Sequence, residues 1–401
     1  ALIVPLDAVP LAAASGTEAD LMTLFLMLLA AKIGDEIFKR IHQPAIVGEI
    51  LAGLLIGPSV LEIVEPNSVT EAFAELGVVF LLFWVGLETP LSQLKTVGKS
   101  AVSVGVLGVV VPLIGGATLG VALGEDLPSS VFLGAALVAT SVGITSAVLV
   151  AVKRLKTRSG QTIIGAAVVD DILAMLLVAV AVGLASENGI NIVSTIAVLV
   201  LAIAFIAFVG LGGSRLLRAK PELLQAPKFA QTPLVPAVLI CLGLAALSAE
   251  IGLAAIIGAF LAGLIISETL EHSPVEKEIA PLYAFFPPFF FVSIGMQVDL
   301  NALGSATALG LLALVTAVAI ATKFVGAWLG ARGLEKREAL LVAVGMIPRG
   351  EVGIVVAGLG AAAGVFDAEM FAVIVGMSVL TTLITPPLIK RLADQVPPET
   401  N

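Results

Sequence analysis

Long apolar runs separated by short polar breaks fill the chain from about residue 20 onward. Taken between the breaks, they predict thirteen helices, at roughly 20–41, 44–64, 73–92, 98–124, 130–152, 158–186, 190–218, 231–251, 252–271, 278–299, 303–331, 336–363 and 367–393. About twenty residues at a rise of 1.5 Å cover the hydrocarbon core of a bilayer, so each run is read as a transmembrane span. The fold class expected is an all-α polytopic membrane protein.

The positive charges test that count. Lys39 and Arg40, Lys95 and Lys99, the group Lys153, Arg154, Lys156 and Arg158, the group Arg215, Arg218, Lys220 and Lys228, then Lys277, then Arg332, Lys336 and Arg337, and finally Lys390 and Arg391 all follow odd-numbered spans. These are 18 of the 21 basic residues, and the loops on the other side contain none. By the positive-inside rule the N-terminus is external and the C-terminus cytoplasmic. Composition agrees: 59% of residues are hydrophobic and 13% charged, against about 25% charged in globular domains. The net charge of −9 lies mostly in short loops and points to no nucleic-acid partner. Cys241 is the sole cysteine and sits in an apolar run, which excludes a disulfide framework and a thiol metal site. His42 and His272 fall in loops. Residues 1–19 lack a basic segment and do not read as an intact signal peptide.

The chain also repeats. "AIVGEILAGLLIG" (45–57) returns as "AIIGAFLAGLIIS" (255–267), "FWVGLETPL" (83–91) as "VSIGMQVDL" (292–300), "SVGI" (141–144) as "EVGI" (351–354), and "IGAAVVDDI" (164–172) as "VGMSVLTTL" (375–383). The offset stays at 209–211 residues. Spans 1–6 therefore repeat as spans 8–13, and an odd separation of seven spans turns the second copy upside down. Inverted repeats belong to alternating-access transporters, which bind substrate near the midplane at discontinuous helices. Two spans carry such interruptions. The fifth reads "ALVATSVGITSAV", and the twelfth reads "VGMIPRGEVGIVV" with Pro348 and Gly350 at the break.

Three basic residues escape the cytoplasmic loops: Lys32, Lys323 and Arg349. Asp170 and Asp171 lie about 12 residues into their span, roughly 18 Å deep. A carboxylate there costs about 2.5–3.5 kcal/mol on insertion scales. One basic partner neutralises only one of the two, and adjacent carboxylates titrate as a coupled pair. A site that trades a proton for a cation has this character, whereas a plain internal ion pair needs one aspartate. Lys323 lies about nine residues, roughly 13 Å, inside Arg332, deep for a snorkelling side chain. Arg349 and Glu351 flank Gly350 and are expected to pair with one another or to satisfy exposed half-helix ends. Thr140 and Ser141 offer hydroxyls either to an ion or to freed backbone groups. Lys32, at i,i+3 and i,i+4 spacing from Asp35 and Glu36, is expected in a helix-surface ion pair. Glu49 and Glu88, near cytoplasmic helix ends, read as structural.

"ATSVGIT" (139–145), "GAAVVDDILA" (165–174), Lys323 and "PRGEVG" (348–353) together resemble bacterial sodium/proton antiporters of the cation:proton antiporter superfamily. The resemblance covers all thirteen spans. It implies a homodimer in which a core moves against a scaffold that carries the dimer interface. By position, residues 1–95 and 231–302 make the scaffold, 96–186 and 303–401 the core, and 187–230 the linker helix and loop. It implies that Asp171 is the principal sodium and proton ligand, that Asp170 pairs with Lys323 as a proton carrier, and that Thr140 and Ser141 lie close to the ion. Arg349 and Glu351 match a charged pair that steadies the broken helices. No cofactor and no enzymatic step are implied beyond the transported sodium (or lithium) and protons, and the exchange is expected to be electrogenic. A potassium/proton antiporter or efflux system remains the alternative. A cation channel accounts for the acidic pair but not for the inverted repeat or the buried lysine. An intramembrane aspartyl protease needs its two aspartates on facing helices, not adjacent on one.

Overall fold

The computed structural model describes residues 17–41, 43–88, 91–185, 200–201, 204–213, 215, 232–251, 253–267 and 275–394. Regular structure is helical throughout, with no strand among the described residues. The helices are α1 (Thr17–Arg40), α2 (Ala45–Ile56), α3 (Ser68–Leu87), α4 (Leu91–Leu123), α5 (Leu127–Val138), α6 (Val142–Ala151), α7 (Arg158–Ala185), α8 (Leu234–Glu250), α9 (Ala255–Ser267), α10 (Val275–Phe285), α11 (Pro287–Met296), α12 (Ala306–Gly330), α13 (Lys336–Gly345), α14 (Glu351–Ala362) and α15 (Ala368–Ala393). Among the described residues, six stretches are long and apolar enough to cross a membrane: 68–87, 98–123, 127–151, 275–296, 306–330 and 368–393. Most of the seventh expected span, with Arg218, Lys220 and Lys228, lies outside the described residues, as do His42 and His272.

Local chemistry moves several boundaries away from the hydropathy breaks. Helix α3 begins at Ser68, five residues before its apolar run, because Asn67 closes a capping box. Its side chain accepts from the amides of Val69 and Thr70, and its own amide donates to the Thr70 hydroxyl. The expected tenth span is two helices that meet at Phe286, where Pro287 opens α11 at a position that needs no amide donor. Lys32 makes no ion pair among the described residues. The neighbouring cations take its expected partners instead, Lys39 at 2.7 Å from Asp35 and Arg40 at 2.9 Å from Glu36. Both pairs put the acid four residues N-terminal to the base, the favoured orientation on a helix, whereas Lys32 would approach the acids from the other side.

Packing sorts the helices into two groups. Helix α4 runs against α5, α7 and α12, with α15 laid on α12 and α14. In the other group α1 packs on α2, α3 on α9, α8 on α9, and α11 on both α2 and α3. Within each group glycines let backbones touch. A carbon added to Gly53 would overlap the Val292 carbonyl, and one added to Gly295 would overlap the Ile50 carbonyl. We expect Gly295→Ala to force α2 and α11 apart and cost about 1–3 kcal/mol, the usual range for overpacking, read as a lower melting temperature of the detergent-purified protein. An unchanged melting temperature would show that the two helices are free to separate.

Between the groups, contact runs through α3 and α2 on one side and α6 and α15 on the other. There the three nearest neighbours of a carbon added to Gly143 of α6 are all side-chain carbons, 3.3 Å away on Val78, 3.4 Å on Phe290 and 3.6 Å on Leu81.

Candidate functional site

Two helices stop and restart inside the protein. Helix α5 ends at Val138 and α6 starts at Val142, while α13 ends at Gly345 and α14 starts at Glu351. A break frees backbone groups that must find partners where no water reaches. All residues from Ala139 to Leu149 and from Leu341 to Gly350 are buried. The two interruptions satisfy one another directly. The Ser141 amide donates to the Pro348 carbonyl at 2.8 Å, and the Thr145 hydroxyl donates to the Gly345 carbonyl at 2.6 Å. Gly350 fits at this crossing because a side-chain carbon would stand 2.6 Å from the Ser141 hydroxyl.

Two carbonyls at the end of α5, those of Val138 and Ala139, are taken by the two buried cations. Arg349 donates to the Ala139 carbonyl at 3.0 Å and to the Ala319 carbonyl on α12 at 3.2 Å. Its own amide is bound by the Thr381 hydroxyl at 3.2 Å. Arg349 thus satisfies a half-helix end, one of its two expected roles. Its pairing with Glu351 lies outside what is described, since that side chain is not.

Lys323 is fully buried on α12. Its ammonium donates to the Gly108 carbonyl of α4 at 2.8 Å, to the Val138 carbonyl of α5 at 2.7 Å, and to Asp170 Oδ1 of α7 at 2.6 Å. Three protons meet three acceptors from three helices. Asp170 is wholly buried. Its Oδ2 and the Thr140 hydroxyl lie next to each other without a hydrogen bond of good geometry. Asp171, one residue on and about 100° around the helix, keeps 5% of its surface exposed. The structure therefore brings together Asp170, Asp171, Thr140, Lys323 and Arg349 at the interruption, with Ser141 bonded across it.

Two participants carry no obvious mark in the sequence. Gly108 contributes a carbonyl, and no side-chain pattern announces a carbonyl. Thr381 binds the freed Arg349 amide, and a signal for it exists: with Thr382 it occupies the place of Asp170 and Asp171 in the second copy of the repeat.

Residues 22–394 match the family model described as sodium/hydrogen exchanger, transmembrane. The chain is 35% identical over 368 residues to the Na(+)/H(+)-K(+) antiporter GerN of Bacillus cereus, covering 91% of this chain and 94% of that protein. It is 34% identical to the high-affinity Na(+)/H(+) antiporter NhaS3 of Synechocystis over 93% of this chain and 89% of that one. The fold is similar to that of the sodium proton antiporter MjNhaP1 from Methanocaldococcus jannaschii, with a TM-score of 0.72, 21% identity, and coverage of 94% of this chain and 98% of that one. With the match running through both interrupted helices and the buried Asp–Lys pair, the chain belongs to the sodium/hydrogen exchanger family of transmembrane proteins.

Proposed function

We propose that the protein is a secondary active transporter that exchanges sodium (or lithium) for protons across a bacterial cell membrane by alternating access. The observation that carries this reading is the buried pair Lys323–Asp170 beside Asp171 at the crossing of two interrupted helices. A dehydrated monovalent cation needs several oxygens. Asp171 supplies the principal ones, with Asp170 and the Thr140 hydroxyl alongside, and Ser141 holds the break in shape. Binding of the cation draws Asp170 away from Lys323. A lysine that then releases the proton facing Asp170 keeps two N–H groups, and two carbonyls, Gly108 and Val138, are already in place to accept them. The site thereby trades a cation for protons without leaving a bare donor in the membrane. Potassium is a second reading, favoured by the name of GerN, which includes it. Proteoliposomes carrying an imposed pH gradient and tested with sodium, lithium and potassium decide between them. Proton movement with potassium alone would overturn the sodium reading.

We further propose thirteen spans in two inverted six-span copies. Contacts at equivalent positions support this. Gly48 meets Gly34 as Gly258 meets Leu244, and Gly53 meets Gly295 as Gly263 meets Gly86; each residue in one contact lies 209–210 positions from its counterpart. The two packing groups correspond to a core, 96–186 with 303–401, and a scaffold, 1–95 with 231–302, joined by 187–230, the scaffold carrying a homodimer interface. The N-terminus is external and the C-terminus cytoplasmic. In a Cys241→Ala background, single cysteines placed at the exposed residues Ser68 and Lys156 should react with an impermeant thiol reagent from opposite sides of the membrane. Reaction of both from one side would sink the orientation and the span count together.

A further inference from the structure

Helix α4 carries many glycines, and most of them serve packing. A carbon added to Gly105 would press on Val169 at 2.8 Å, one on Gly116 would stand 2.7 Å from the backbone of Gly134, and one on Gly120 would stand 2.7 Å from that of Ser130. Gly108 is different. A carbon added there would find its nearest neighbours at ordinary contact distance, and they are Lys323 Cε and Nζ at 3.7 Å and Asp170 Oδ1 at 3.9 Å. Space for alanine therefore exists, and glycine is among the poorest helix formers. Helix packing does not account for a glycine at this place.

We propose that Gly108 is a positioning residue for Lys323, and that the lack of a polar side chain at this position keeps the Lys323–Asp170 pair weak enough for a cation to displace. This rests on the reading of Asp170, Asp171 and Lys323 as the exchange site. The ammonium has three acceptors, one of them the Gly108 carbonyl itself. Asp170 Oδ1 receives the lysine and no other described donor, and among the described residues no α4 side chain bonds to either partner. A hydroxyl at position 108 would sit within reach of both, accepting from the ammonium or donating to the carboxylate. Each added bond favours the closed pair over the cation-bound site. An incoming sodium ion would have to break it.

The test compares Gly108→Ser with Gly108→Ala, which place the same carbon and differ by one oxygen. Exchange is measured in proteoliposomes as a function of sodium concentration, with Asp171→Asn alongside. The KM for sodium is expected to be about fivefold higher in the serine variant than in the alanine variant, the ratio that one hydrogen bond of about 1 kcal/mol produces, at matching kcat. Equal KM values overturn the proposal. So does a lower KM in the serine variant, which would make the hydroxyl a cation ligand, and so does a fall in kcat at constant KM, which is a packing effect. Failure of the alanine variant to fold also overturns it, since the space would not be what the structure describes. Sodium exchange by Asp171→Asn instead removes the underlying site reading, and the two failures are thereby told apart.

Discussion

Asp171→Asn is expected to fold, insert and lose exchange, with turnover falling to the level of protein-free liposomes. Asparagine keeps the shape but carries no charge and no exchangeable carboxyl proton, so it cannot alternate between a cation and a proton. Folding should survive because the Lys323 clasp uses Asp170 and two carbonyls, none of which the substitution touches. Removing a buried charge also relieves a desolvation cost. The contrasting variant is Asp170→Asn. It strips the ammonium of its anion and leaves a buried charge facing only neutral acceptors, a change that typically costs about 3–5 kcal/mol. Melting curves in detergent and proteoliposome exchange, run on both variants, separate the two roles. Strong exchange by well-folded Asp171→Asn would move the site elsewhere.

The second large effect concerns voltage. A single carboxylate that swaps one sodium for one proton moves no net charge. Lys323 adds a second proton per cycle if it releases one each time a cation takes Asp170. Two protons against one sodium carry one net charge, worth about 2.3 kcal/mol per 100 mV. Membrane potential alone, with equal pH and equal sodium on both sides, is then expected to drive exchange. Lys323→Gln removes the second proton while its amide can still donate to the Gly108 and Val138 carbonyls, so the voltage response should fall more than sodium binding does. If a potential of about −100 mV leaves the native rate and direction as they are at zero, the exchange is electroneutral and Lys323 is a structural clasp.

Much of this architecture is legible in the sequence because lipid is an unforgiving solvent. Apolar runs must be helical there, and a charge among them needs a reason, so Asp170, Asp171, Lys323 and Arg349 stand out from the residue pattern alone. Both interrupted helices are visible for the same cause: "TSVG" and "IPRG" break otherwise apolar runs. The third interruption, at Phe286, escapes a hydropathy reading although Pro287 and Pro288 mark it, because flanking aromatics keep the hydropathy high. The start of α3 escapes it too, because a capping box is a hydrogen-bond pattern and not a hydrophobic one. Spacing alone misassigns the partner of Lys32, because several cations compete for two acids on one helix face. What the sequence hides most completely is the use of carbonyls. Val138, Ala139 and Gly108 act through backbone oxygens, which every residue possesses and no letter distinguishes.

The meeting of Gly143 with Val78, Leu81 and Phe290 has a mechanical side. Inside each packing group the glycines bring backbone against backbone, which locks like a keyed joint and resists sliding. At Gly143 the opposing surfaces are hydrocarbon tips over a flat spot, and sideways travel exchanges one dispersion contact for another of similar depth. Were the two groups to slide past one another, such a junction would act as a dry bearing. Its resistance would come from the shape of the surfaces, so such a stroke would be governed by the fluidity of the surrounding lipid more than by any bond broken at this point.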